Sequence, residues 1–213
     1  MLELFVSSFI TFFVVIDPPG CAPIFAGLTS GTTATHRRVM AVRAVLVASL
    51  ILFGFALFGE ALLRALGISL NAFKIAGGIM LFLIALEMVF EKRTERREDR
   101  AEKVKASEAP DISIFPMAMP MIAGPGSIAS VMLLMSQNDG LERSAAVLGA
   151  MVAILALTLV ALLAAGPIMR LVGAKIEAVI SRLLGVLLGA LATQFVIDGI
   201  RASLVAGAVV SGH

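Results

Sequence analysis

Long apolar runs alternate with short polar connectors along this chain. Val39 to Leu63, Ile75 to Phe90, Val147 to Met169 and Leu183 to Ile197 are almost free of charge, and Leu2 to Leu28 and Ile112 to Met135 are similar runs interrupted by Pro and Gly. About 20 helical residues cross a bilayer core of about 30 Å, so each run reads as a span. The two shorter runs extend past Lys74 and Arg182, whose long side chains snorkel toward headgroups, to reach Ile68 to Leu70 and Ile176 to Ile180. Run length sets this reading against a soluble helical bundle. The expected fold is an all-α polytopic membrane protein with six transmembrane helices.

Two of the six runs carry breaks near their centres. "DPPG" at 17–20 lies midway along Leu2 to Ser30, and "AGPGS" at 123–127 lies midway along Ser113 to Met135. Proline removes a backbone donor and crowds the previous turn, and glycine accepts dihedrals that other residues avoid. Each span is therefore expected to be two half-helices that meet near the bilayer midplane. Unwound backbone in hydrocarbon costs several kcal/mol per unpaired group, so the breaks are expected to face each other across a covered, wet pocket. The half-helix starts near Ala22 and at Ser127, read as an N-cap, would aim amides and positive dipole ends into that pocket, which suits a carboxylate.

Asp17 is the residue that asks most for a function, because an acid at depth is costly on every insertion scale. Three roles stay open: binding a substrate ammonium, holding a coupling H⁺ or Na⁺, or capping the adjacent half-helix. The substrate-binding candidates are Asp17, Pro18, Pro19, Gly20, Cys21, Gly124, Pro125, Gly126 and Ser127. Thr11, Thr158, Thr193 and Gln194 are weaker cavity-lining candidates, for which hydrogen bonding between helices is the plainer reading. Glu60, Glu87 and Asp198 read as interface residues, and Gly77, Gly78, Gly185 and Gly189 as close helix contacts.

The chain also resembles itself. Shifted by 106 residues, Pro19-Gly20 falls on Pro125-Gly126, Arg64 on Arg170 and Gly67 on Gly173; with two residues of slippage Lys74 meets Arg182 and Gly77 meets Gly185. A duplicated three-span unit follows. Since three is odd, the second copy enters from the opposite face, giving two inverted three-helix repeats. The units are residues 1–92 and 112–204, with a charged cytoplasmic linker at 93–111 and a tail at 205–213.

Composition agrees: 59% of the 213 residues are hydrophobic and the mean hydropathy is +1.01, more than a soluble domain needs. The net charge of +2 does not indicate nucleic acid, because the basic residues track topology. Of the 17 Lys and Arg, 13 lie in or beside loops 1, 3 and 5, and Arg64, Lys74, Arg143 and Arg201 lie on the other side. Positive residues stay in the cytoplasm, so both termini are expected outside. The linker, with seven basic and seven acidic residues from Glu91 to Asp111, reads as a solvated connector rather than a docking or lipid-binding arm. The first run lacks the basic start of a signal peptide and carries Glu3 instead, so it reads as uncleaved. Cys21 is the one cysteine and reads as small and apolar. His36 and His213 are not placed to bind metal. No catalytic triad, phosphate loop or metal cluster is present, so no enzyme and no cofactor is expected.

"IDPPGCAPIF", "MAMPMIAGPGSI", "ISLNAFKIAGGIMLFLIALEMVF" and "RLLGVLLGALATQFVIDGI" together resemble the MarC family of bacterial and archaeal inner-membrane proteins, over residues 2 to 204. The resemblance implies six spans and, in at least one branch, transport of small neutral amino acids such as glycine or alanine. It also implies a substrate site at Asp17, Pro18, Pro19 and Gly20 with Gly124, Pro125, Gly126 and Ser127. Cys21 stands where the family motif usually has asparagine, which puts specificity there in doubt. The expected function is a secondary transporter working by alternating access, coupled to H⁺ or Na⁺, with a small-molecule substrate and the lipid bilayer as partners. An exporter or channel for another small solute and a non-transporting membrane scaffold are the rival readings. A homo-oligomer is left open.

Overall fold

The computed structural model describes residues 1–106, 111–138 and 140–210, without the side chains of 104–106, 166–178 and 205–210. Arg170, Gly173, Lys175 and the tail 205–213 therefore lie outside the residues whose surroundings are described. The described residues are helical with short connections: α1 (Leu2–Ile16), α2 (Pro18–Leu28), α3 (Ala34–Ala65), α4 (Leu70–Val89), α5 (Lys92–Ala106), an irregular segment Ser113–Ile122, α6 (Pro125–Gln137), α7 (Leu141–Leu163) and α8 (Ala165–Val210). Thr33 and Ser69 cap α3 and α4, accepting hydrogen bonds from the amides of His36 and Ala72.

Five stretches are long and apolar enough to cross a membrane: Leu2–Leu28, Ala34–Ala65, Leu70–Val89, Leu141–Leu163 and Val179–Leu204. Ser113–Ile122 and Pro125–Gln137 together form a sixth candidate bent by 51°. Each half of the chain thus presents an interrupted segment, a helix of more than 20 residues and a third helix, in that order.

The third helices of the two halves pack closely and run antiparallel. A Cβ on Gly199 would lie 3.1 Å from Asn71 O, one on Gly78 would lie 2.9 Å from Ala192 O, and one on Gly185 would lie 3.1 Å from Ala85 O. Positions rise along α4 as they fall along α8. The small-residue reading of Gly78 and Gly185 holds: backbone meets backbone there, and a methyl group would push the helices apart. Gly77 instead faces α6, where a Cβ would lie 3.0 Å from Leu133 Cδ1. The main core joins Phe12, Ile16, Phe25, Met40, Ala44, Met117, Ile122, Met151 and Ile154, so both interrupted segments lie inside and α3 and α7 pack around them. The outer faces of α3, α4 and α8 expose Leu46, Leu50, Phe58, Leu83, Leu183 and Val186, as a lipid-facing surface would.

Two expectations are corrected here. The second interrupted run is not a pair of half-helices. Phe115 and Met119 are extended, each followed by a cis proline, Pro116 and Pro120, and only the part after Gly124 is regular helix. The linker is not a wholly solvated connector either. It folds as α5, whose outer face carries exposed Lys92, Glu95, Arg96, Glu98 and Asp99 while Arg97 is buried.

Candidate functional site

The first break is one residue wide. Asp17 has φ 58° and ψ 66°, the left-handed region that Asp and Asn tolerate better than most side chains. Its amide donates to Phe13 O at 3.0 Å, closing α1, and its carbonyl accepts from the Cys21 amide at 3.1 Å, opening α2. Its Oδ1 accepts from the Gly20 amide at 3.1 Å. Asp17 is therefore C-cap and N-cap at once, so the capping role is realised. The expected array of free amides at the start of α2 is absent: Pro18 and Pro19 have none, and those of Gly20 and Cys21 are bonded within the break.

The carbonyl side of the break is as informative. In a continuous helix Val14, Val15 and Ile16 would accept from the amides of residues 18, 19 and 20. The prolines remove two of those donors, and the third turns to the Asp17 side chain. Guanidinium groups from α5 take over: Arg93 Nη2 donates to Val15 O at 2.6 Å and Arg97 Nη2 to Ile16 O at 3.5 Å. Arg97 Nη1 also donates to Asp17 Oδ2 at 2.9 Å, in an ion pair whose side chains are 8% and 5% exposed. Cations at a helix C-terminus complement its dipole, and a buried ion pair persists only with such further hydrogen bonds. The Arg93 guanidinium is pushed down to about 10, first by burial and then by Arg97 beside it.

Gly20 is required by space. A Cβ there would lie 2.2 Å from Asp17 Oδ2 and 2.9 Å from Arg97 Nη1. Cys21 is fully buried, and its thiol lies 3.5 Å from Ile16 O.

The second break meets the first. A Cβ on Gly126 would lie 3.2 Å from Val15 Cγ1 and 2.6 Å from Ile84 Cδ1. Gly124, not Ser127, is the N-cap of α6, and no side chain caps it. Ser127 is a correction: its hydroxyl donates backwards to Ile122 O at 2.7 Å. A Cβ on Gly124 would lie 2.3 Å from Pro120 O, so the glycine admits the irregular segment. Pro18, Gly20, Gly124, Gly126 and Ser127 are buried, Pro19 is half-buried and Pro125 is exposed. The paired breaks pack against the second half of α4, from Leu81 and Ile84 beside Gly126 to Met88 beside Arg93.

Of the weaker candidates, Thr11 and Thr158 are buried, but their hydroxyls donate to the carbonyls of Ser7 and Ile154 in their own helices at 2.9 and 2.8 Å. Thr193 and Gln194 lie on the exposed face of α8, bonded to Gly189 O and Asp198 Oδ1. None of the four bonds across helices. Among the described residues no group of His, Cys, Asp and Glu is placed to hold a metal ion. Sequence reasoning missed Arg93 and Arg97. Their signal was available: two arginines one turn apart, following a span whose prolines strip donors from neighbouring carbonyls.

The MarC model, that of an integral membrane protein family, matches residues 2–204. The chain belongs to the MarC family. It is 37% identical over 203 residues to a UPF0056 membrane protein of Methanocaldococcus jannaschii, covering 95% of this chain and 98% of that one. The Bacillus subtilis UPF0056 membrane protein YvbG is 35% identical over 202 residues, covering 94% and 96%. The Escherichia coli UPF0056 membrane protein YhcE is 32% identical over 197 residues, covering 91% and 90%. No solved structure matches. The MarC-family match supplies the bilayer as environment, and the buried Asp17 break is then an acid inside a membrane protein.

Proposed function

We propose that this MarC-family chain is a secondary transporter for a small neutral amino acid such as glycine or alanine. Its six spans form two inverted three-span units that alternate access around the paired breaks. The observation that carries this reading is the buried carboxylate of Asp17, set in a helix break that packs directly against a second break. An acid in that position is usually part of a pathway, and broken helices from two repeats meeting in one place are a recurrent transporter layout. The substrate ammonium or a coupling H⁺ or Na⁺ binds at Asp17, and the uncapped start of α6 receives the substrate carboxylate.

Parity supports the sixth crossing. If the bent pair re-entered and left on the same side, α7 would be the single crossing between α4 and α8, and the two would run parallel. They run antiparallel, as the third and sixth of six spans do.

The test is uptake of labelled glycine, alanine and serine into proteoliposomes, with and without H⁺ and Na⁺ gradients. Saturable, competable uptake lost in Asp17→Asn and Gly126→Leu is the expected result. Uptake no greater than in empty vesicles under every gradient overturns it. A scaffold role draws support from the caps that Asp17 makes; in that case Asp17→Asn changes abundance and no flux.

A further inference from the structure

α5 is bound to the break by an unusual kind of contact. Between Lys92 and Lys103 its sole apolar residue is Ala101, which packs against the main core, so it has little apolar surface to bury. What holds it are the contacts of Arg93 and Arg97 with Val15 O, Ile16 O and Asp17 Oδ2, supported by the exposed Arg96–Glu87 pair at 2.7 Å. A helix so poor in apolar side chains exposes little hydrophobic surface to water when it undocks, unlike a core helix. Its docking is also incomplete. A groove of about 300 Å³ separates it from α2, lined by Pro23, Ile24, Gly27, Leu28, Glu98 and Glu102. The two glutamates, one helical turn apart, give that groove a negative wall that attracts cations to the α2–α5 contact.

We infer that Asp17 Oδ2 and the carbonyls of Val15 and Ile16 form a cation site that α5 occupies with its own guanidinium groups. Arg97 is a tethered stand-in for a free cation, an alkali ion or a primary ammonium, and α5 is the gate that leaves when that cation arrives. The arrangement of donors and acceptors explains why the tether is arginine: one planar group bonds the carboxylate and a carbonyl together. It also explains Gly20, since any side chain there would fill the space where carboxylate and guanidinium meet. Exchange is balanced in charge, because one cation replaces another at a carboxylate that stays paired throughout, and the released arginine returns to water. The idea deepens the transport reading by naming what closes the site, but the gate itself requires no flux.

Cys21 supplies a native reporter. It is the chain's one cysteine, fully buried beside the Arg97 contact on Ile16. In the full-length protein in liposomes, its labelling by a small cationic methanethiosulfonate is expected to be at least tenfold faster in Arg97→Gln. It should stay near the wild-type rate in Arg97→Lys, and in Arg96→Gln as a surface control. Labelling of Arg97→Gln at the wild-type rate overturns the proposal. Should Arg97→Gln fail to fold, the wild-type protein decides: sodium or methylammonium, against choline at equal ionic strength, speeds labelling several-fold if Arg97 is exchangeable. No change with either cation means a fixed structural bond and ends the idea. Cation-dependent labelling without amino-acid uptake would remove the transport reading and keep the gate; uptake with unchanged labelling would do the reverse.

Discussion

At the scale of single residues, Asp17 does three separable things: it adopts the left-handed conformation, caps α2 through Gly20, and balances Arg97. Asparagine keeps the first two, since it tolerates that conformation and accepts the same amide. Asp17→Asn therefore isolates the charge. It leaves a buried guanidinium without its partner, and breaking such a pair costs about 3–5 kcal/mol. A large fall in thermal stability in detergent is expected, and most of it should return in the double variant Asp17→Asn with Arg97→Gln. A fall in the double variant as large as in the single one would show that the ion pair is not what the charge serves. Gly20→Ala tests the same contact from the other side, because the new methyl cannot coexist with the carboxylate where it lies.

At the scale of elements, the α4–α8 seam depends on backbone approach. Gly78→Ala would place a methyl 2.7 Å from Val196 Cγ2 and 2.9 Å from the Ala192 carbonyl. Backbone does not yield as a side chain does, and overpacking of this kind costs about 1–3 kcal/mol. Gly54→Ala, in α3 with nothing within 4 Å, should cost no stability, since alanine is the better helix former. Melting temperatures of the two variants compare the seam with an open helix face. The start of the irregular segment is held differently. Asp111 accepts from the Ser113 hydroxyl at 2.5 Å and its amide at 2.9 Å, and pairs with Arg43 of α3. These bonds, Ser113 first, hold its carboxyl below the usual carboxylate range. A depressed folded value means that the stabilisation is present above the unfolded value near 4 and is lost as pH falls through the folded one. Asp111→Asn should remove that part of the acid limb while leaving stability above pH 5 free of any new slope; an identical acid limb in both proteins would assign it elsewhere.

The elements also show what could be read from the chain in advance. The spans were legible because run length against bilayer thickness is a strong constraint, and the first break was legible because Asp-Pro-Pro-Gly offers little else in an apolar run. The irregular segment was not, although Pro116 and Pro120 stand four residues apart: Gly124–Ser127 marks one interruption, whereas the chain is broken from Phe115 onward. The role of α5 was hidden for a physical reason. Equal numbers of positive and negative residues read as a solvated surface, and nothing in a charge count says that two of the arginines turn inward. Only the donor inventory at the break, with two prolines and three stranded carbonyls, asks where replacement donors come from.

At the scale of the whole molecule, the proposed topology turns on the bent pair. Antiparallel α4 and α8 require that the connection between them cross the membrane an even number of times, and α7 supplies one crossing. On the proposed topology the pair Ser113–Ile122 and Pro125–Gln137 supplies the other. On the orientation expected from the asymmetry of Lys and Arg, the α5 side is cytoplasmic. A reporter inserted after Gln137 should then face outward, as should reporters at the N-terminus and after Leu204, while one within α5 near Glu102 faces the cytoplasm. If the bent pair returned to its own side, the Gln137 reporter would agree with the one near Glu102 and the Leu204 reporter would be cytoplasmic too. Those two fusions thus separate six spans from five without reference to transport, and a shift of both to the cytoplasmic side would remove the inverted pairing on which alternating access depends.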